Sequence, residues 1–411
     1  MPENPTKHQG QLAGVMPALA IFGAPPRFPR ELHVGAPNVV ARAAYVERLH
    51  RIFDRTWLTH SGPEEREFEE TIARRVGVRH CVAVVNATSA LQILCRALNW
   101  QGEVIVPSFT FVATANAVAW LGLQPVFCDV DPDTHNIDPR RVEALVTERT
   151  TAILAVHLWG RPCAVEALRR IADAHRVDLV FDAAQAWGCM LDDIPIGRFG
   201  RAEVFSFHAT KWVHAFEGGA ITTDDRELAD RCAALKRFGF VGYDRTGGLG
   251  TNATMTEASA AMGLVSLQSE GAILERNRAN FDAYAGGLRG LPGVQMVQPA
   301  PGNRWHHHYV VLEIDETGAP LDRDELQQVL WHENVLARRY FYPGCHRLEP
   351  YAGRPHAPLP VTERLAGRTL ALPTGLQMEP HEAVAVCDLI RAAFTHADPV
   401  RKRVRELPPR T

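Results

Sequence analysis

Three consecutive stretches, DLVFDAAQAWG (178–188), EVFSFHATK (203–211) and GGAITT (218–223), decide the fold of this 411-residue chain. The first two open as a run of apolar residues of strand length and close on small and polar residues. The apolar runs are continuous, not alternating, so both faces of each strand are expected to be covered. Working outward, HCVAVVN (80–86), EVIVPS (103–108), PVFCDVD (125–131) and TAILAVHLWG (151–160) repeat the pattern. Helical spacing follows each of them, in ATSALQILCRAL (87–98), TANAVAWLG (114–122), a segment near 138–147, and VEALRRIADAHR (165–176). Strands linked by helices define an α/β unit with a seven-stranded, mostly parallel sheet between helices.

Residues 224–290 read as largely helical, with glycine-rich breaks at 239–250. A smaller α+β domain is expected from 291, with a strand at 308–315 and helices at 324–335 and 380–396. The expected organisation is an N-terminal arm (1–30), a large α/β domain (31–290), a small C-terminal domain (291–397) and a charged, solvated tail (398–411).

Bulk composition narrows the function. Net charge is −3 and no long basic stripe exists, which argues against nucleic acid as a partner. No apolar run approaches the roughly 20 residues that span a bilayer. Residues 12–24 faintly resemble a signal-peptide core, but Pro17 interrupts them, so no cleaved signal is expected. The eight cysteines form no C-x-x-C pair and most lie in apolar runs, as expected of free thiols in a reducing cytoplasm. His306, His307 and His308 precede a strand on which neighbours face opposite ways, so no metal site is expected there.

In an α/β sheet, ligands sit beyond the carboxyl ends of the strands. Asn86-Ala87-Thr88-Ser89 follows the first strand and opens a helix, where backbone N–H groups favour an anion such as phosphate. Asp182 ends another strand and suits a buried cation. Lys211 follows a third. Only four lysines exist in the chain (Lys7, Lys211, Lys236, Lys402), and Lys211 is the only one between residues 80 and 223. Phe207, Trp212, Val213 and Phe216 surround it in sequence, which should lower its pKa and make it nucleophilic. A phosphate cup, a carboxylate and a lysine at separate strand ends match the needs of pyridoxal phosphate. Phe109 and Phe111 are candidates to stack on its ring.

The motifs WLTHSGPEEREFEE (57–70), NATSAL (86–91), PSFTFVATANAV (107–118), FDAAQAWG (181–188), FSFHATK (205–211), FEGGAITT (216–223), FGFVGYD (238–244), GTNATMTEASAAMGL (250–264) and ARRYFYPGCHRLEPY (337–351) occur in that order. With them the chain resembles the DegT/DnrJ/EryC1/StrS sugar aminotransferases, and the last two motifs are most similar to desosamine-type 4-aminotransferases of antibiotic deoxysugar pathways. The resemblance implies the aspartate-aminotransferase (type I) fold, a homodimer with shared active sites, and pyridoxal 5'-phosphate passing through its pyridoxamine form. It implies conversion of dTDP-4-keto-6-deoxy-D-glucose to its 4-amino sugar, with L-glutamate as donor. By resemblance, Lys211 is the Schiff-base lysine, Asp182 meets the pyridine nitrogen, and Gln185 meets the 3-hydroxyl. Thr88, Ser89 and Ser206 form the phosphate cup, Phe111 stacks on the ring, and Asn252 reaches the neighbouring subunit's phosphate. Thr254 stands where relatives carry a basic residue linked to the diphosphate, so Lys236, Arg237 and Arg339 become candidates for that charge. His208, Tyr340, Phe341, Tyr342 and His346 are candidates for the sugar-nucleotide pocket. The alternatives are a 3-aminotransferase and a non-catalytic cofactor-binding regulator. Lys211 argues against the family's dehydratases, which carry histidine there, and no G-x-G-x-x-G supports a nicotinamide enzyme.

Overall fold

The computed structural model describes residues 18–299, 302–408 and 410. Residues 12–17 of the signal-like stretch and the first part of the N-terminal arm lie outside them. The seven strands of the main sheet are β1 (His80–Val84), β2 (Glu103–Pro107), β3 (Gln124–Cys128), β4 (Thr150–Val156), β5 (Asp178–Asp182), β6 (Ala202–Ser206) and β7 (Gly219–Thr223). Their order is β1-β7-β6-β5-β4-β2-β3. β7 runs antiparallel to β1 and β6, and the other pairings are parallel.

The continuous apolar runs are explained by coverage on two sides. Val104, Val106, Ala152, Leu154 and Val180 enter one cluster, where they meet Leu91 and Leu94 of the helix Ala87–Ala97. The intervening Ile105, Ile153, Ala155, Leu179 and Phe181 enter another, with Leu168 and Ile171 of the helix Val165–His175. Each of the larger side chains, so buried, contributes about 1.5–3 kcal/mol. The arrangement points the carboxyl ends of all strands but β7 in one direction, and β7 starts there. Gly219, its first residue, lies against the loop after β1, where a Cβ would stand 2.5 Å from the Asn86 carbonyl carbon.

A second, three-stranded antiparallel sheet consists of β8 (Val294–Met296), β9 (Val310–Ile314) and β10 (Thr369–Leu372), in that order. The helices Arg323–His332, Pro360–Arg368 and Pro380–Thr395 accompany it. Two features differ from the sequence expectation. The start of the chain joins this smaller unit: Leu32–His33 pairs with Val335–Leu336, and the Ala20 and Arg27 N–H groups each donate to the Glu333 carboxylate at 2.7 Å. The segment expected as a solvated tail contains the helix Ala397–Glu406, because Val400 gives it a buried anchor and Arg403 Nε donates to the Ile21 carbonyl at 2.8 Å.

Lys236 also departs from expectation. It caps the helix Arg226–Leu235 and is buried. Its three protons find three acceptors, Glu65 at 2.6 Å, the Ala83 carbonyl at 2.8 Å and Glu69 at 3.0 Å. No proton remains for a diphosphate, so Lys236 is a tie between the helix Pro63–Val76 and β1, not a substrate residue. Replacing it with methionine would leave two carboxylates buried without their cation, at about 3–5 kcal/mol. Urea titration of Lys236→Met should show that loss, with the KM for the sugar substrate unchanged.

Candidate active site

The strand ends converge on a cavity of ≈ 420 Å³, within the range of roughly 300–1,000 Å³ common for small-molecule sites. One wall comes from the loop after β1. Asn86 caps the helix Ala87–Ala97, its Oδ1 accepting the Ser89 N–H at 2.8 Å. Asn86, Ala87 and Thr88 line the cavity, and no hydrogen-bond acceptor claims the Ala87 and Thr88 N–H groups among the described residues. Ser89 stands one step behind them, outside the lining.

Asp182, at the end of β5, is 5% exposed. Its Oδ2 accepts the Thr114 hydroxyl at 2.8 Å, and its Oδ1 accepts the Ala184 N–H at 3.0 Å. Burial pushes its pKa up, while Thr114, Ala184, Lys211 and His157 oppose that rise. Gln185 follows in a turn, its Oε1 accepting the Trp159 N–H at 2.8 Å. Ser206 ends β6, and Lys211 comes five residues later in the loop that precedes β7. Burial lowers the Lys211 pKa to about 8, and the Asp182 charge only partly offsets it. The amine is 3.4 Å from the Tyr309 hydroxyl.

Phe111, 58% exposed, lines the cavity mouth, whereas Phe109 is fully buried against Trp159, His135 and Phe341 and cannot stack on a ligand. His208, Tyr340 and Phe341 line the cavity; Phe341 also stacks on Trp159 at 5.1 Å, so packing is part of its role. Two expected residues fall elsewhere. His346 is buried beneath the loop after β2, its Nδ1 2.7 Å from the Ser108 hydroxyl. Tyr342 is 51% exposed outside the cavity, flanked by Arg323 and Arg339. Asn252 is exposed and accepts the Thr254 hydroxyl at 3.2 Å, and neither lines the cavity of its own chain.

Of the candidate arginines, Arg339 pairs with Asp324 at 3.2 Å and Arg237 bonds the Ala233 carbonyl at 3.1 Å, both outside the lining. The arginine in the cavity is Arg338, with no carboxylate partner among the described residues. Sequence reasoning missed Arg338, Thr114 and Tyr309. The doublet Arg338-Arg339 was visible, but only the antiparallel bridge from Arg338 to Ala371 decides which of the two faces inward.

Unclaimed helix N-terminal donors, a buried carboxylate and a desolvated lysine amine in one cavity fit pyridoxal phosphate. Together with the sheet order they define a type I pyridoxal phosphate enzyme. The chain belongs to the DegT/DnrJ/EryC1/StrS aminotransferase family, whose model matches residues 41–391. It is similar to DesI, solved in the presence of its TDP-sugar product, with 52% identity and a TM-score of 0.92 over 94% of this chain and 99% of that one. It is 35% identical to a dTDP-4-amino-4,6-dideoxy-D-glucose transaminase of Shigella dysenteriae, over 78% of this chain and 88% of the relative. It is 33% identical to S. venezuelae DesV, with a TM-score of 0.80 over 87% of this chain and 95% of that one. The chain is accordingly a pyridoxal phosphate-dependent aminotransferase of this family.

The depressed lysine has a measurable consequence. Cofactor capture by the apoenzyme, followed by absorbance, should accelerate through a midpoint near pH 8, the value to which burial lowers Lys211. An unperturbed lysine would place it about two units higher. The unfolded chain binds the extra proton between those values, so this group's contribution to stability rises with pH across that window. Lys211→Met should therefore raise the apoenzyme melting temperature at pH 7, with the gain fading at high pH.

Proposed function

We propose that the chain transfers the amino group of L-glutamate to dTDP-4-keto-6-deoxy-D-glucose, giving 2-oxoglutarate and dTDP-4-amino-4,6-dideoxy-D-glucose, within the deoxysugar biosynthesis of an antibiotic or related natural product. The observation that carries the chemistry is the shared cavity of Lys211 and Asp182, each shifted by burial toward its neutral form. The sugar is supported by likeness to transaminases named for that product and to DesI.

Thr88, Ser206 and the unclaimed Ala87 and Thr88 N–H groups would hold the phosphate, with Ser89 one step behind them, Asp182 would meet the ring nitrogen, Gln185 the 3-hydroxyl, and Phe111 a ring face. Bound there, pyridoxal phosphate supplies an electron sink that acidifies the proton on the amine-bearing carbon. Lys211 would hold the cofactor, and its amine, with a pKa lowered by burial, would take the proton from glutamate Cα. In the second half-reaction Lys211 returns a proton to C4 of the sugar. Arg338 orients a donor carboxylate, its guanidinium having no carboxylate partner among the described residues. Asp182 would face the ring nitrogen and favour its protonated form.

The working unit in this reading is a homodimer in the cytoplasm. Exposed Trp57, Leu58, Phe238 and Phe240 support an apolar contact with a second copy, and exposed Asn252 is free to reach its partner's phosphate. Eight free cysteines suit a reducing compartment, and no helix of the described residues is long and apolar enough to cross a membrane.

NMR of the product from enzyme, glutamate and the 4-keto sugar should show an amine at C4. An amine at C3 would instead assign a 3-aminotransferase. A cofactor absorbance unmoved by glutamate would indicate a non-catalytic binder. Lys211→Ala should abolish turnover. Arg338→Met should raise the glutamate KM about tenfold or more, as expected for losing one charged hydrogen-bonded pair, and change the sugar KM much less.

A further inference from the structure

Tyr309 is the one hydrogen-bond partner of the Lys211 amine among the described residues. Its ring is 8% exposed and packed against Trp159, His306 and His308, with centroids 5.7, 5.6 and 5.2 Å away. The hydroxyl therefore has one place to be. The 3.4 Å contact is long, as such contacts often are in a site without its ligands.

The residues just before Tyr309 show how it is held. Trp305 Nε1 donates to the Trp159 carbonyl at 2.6 Å, in the loop after β4. His306 Nδ1 accepts the His308 N–H at 3.0 Å, so its proton sits on Nε2, which donates to the Gln185 carbonyl at 2.7 Å, after β5. His308 Nε2 stands 3.0 Å from the Thr210 carbonyl, which has no proton to give, so this nitrogen is also the donor. Thr210 immediately precedes Lys211. His308 Nδ1 is then bare, and it has no partner among the described residues. His307 takes a left-handed backbone (φ 53°) and places its ring on Phe281, 5.1 Å away. Burial lowers the pKa of His306 to about 3 and of His308 to about 4, so both stay neutral in the working range. Three donors within four residues thus tie the small unit to the three loops that carry Trp159, Gln185 and Lys211.

We propose that Tyr309 is a positioning residue for Lys211, aiming its amine during proton transfer, and that Trp305, His306 and His308 form the strap that fixes Tyr309 against the cofactor loops. This deepens the aminotransferase reading and rests on it. The groups facing the amine are Asp182 and Tyr309, with neutral His306 and His308 behind.

The test compares Tyr309→Phe, His308→Gln and His308→Leu with the unaltered enzyme. Tyr309→Phe keeps the ring and removes one acceptor for the ammonium. The expected result is a kcat reduced about tenfold or more, an unchanged glutamate KM within a factor of about two, and a lower pH midpoint for cofactor capture by the apoenzyme, because the charged amine has lost a partner. His308→Gln, which can still donate to the Thr210 carbonyl, should retain most of the kcat that His308→Leu loses. A Tyr309→Phe enzyme with kcat and capture midpoint both unchanged would overturn the positioning role. Equal loss in the two His308 variants would overturn the strap. Cofactor capture needs no sugar, so an incorrect sugar assignment would leave this result intact.

Discussion

Everything in the site depends on removing one amine and one carboxylate from water at the ends of adjacent strands. Asp182 ends β5, and Val204 of β6 lies opposite it in the parallel register, so the loop carrying Lys211 starts beside the carboxylate. Burial lowers the amine toward a nucleophile and raises the carboxylate, and their mutual attraction only partly opposes this. Two charges in such a place would be costly without partners. Thr114 and Ala184 supply the carboxylate's donors, and Tyr309 supplies the amine's contact.

The two core lysines show how partners decide the chemistry of one residue type. Lys236 is buried, at 2% exposure, yet its pKa is raised, because Glu69 and Glu65 outweigh its desolvation. Lys211 has one carboxylate in its surroundings and no direct ion pair, and its pKa falls. The first is a strut, saturated by three acceptors; the second keeps a reactive lone pair. Burial alone does not make a catalytic lysine. Burial with too few partners does.

The seven main strands were readable in the sequence because most of them are continuous apolar runs covered on two faces. The short β8 and β10 were not, since three or four residues carry no periodicity above background. At the site, Lys211, Asp182, Thr88 and Phe111 were readable as cavity candidates because they lie at or shortly after strand ends, whereas the roles of Gln185 and Ser206 came from the family resemblance. Thr114 was not, because it meets Asp182 across 68 residues of sequence. Tyr309 and Arg338 come from the smaller unit, whose docking has no local signature. The errors have the same origin. Phe109, Lys236 and His346 are plausible ligands by residue type, and contacts remote in sequence turn them into packing, a strut and a buttress for the loop after β2. The charged end of the chain read as solvated because a single buried valine is enough to anchor a helix.

The central claim is that one lysine of four carries the cofactor. It can be tested by reducing the holoenzyme with borohydride and mapping the cofactor-bearing peptide by mass spectrometry. The account predicts the reduced adduct on Lys211, within FSFHATKW (205–212), and nowhere else. An adduct on Lys236, Lys7 or Lys402, or no adduct at all, would contradict it.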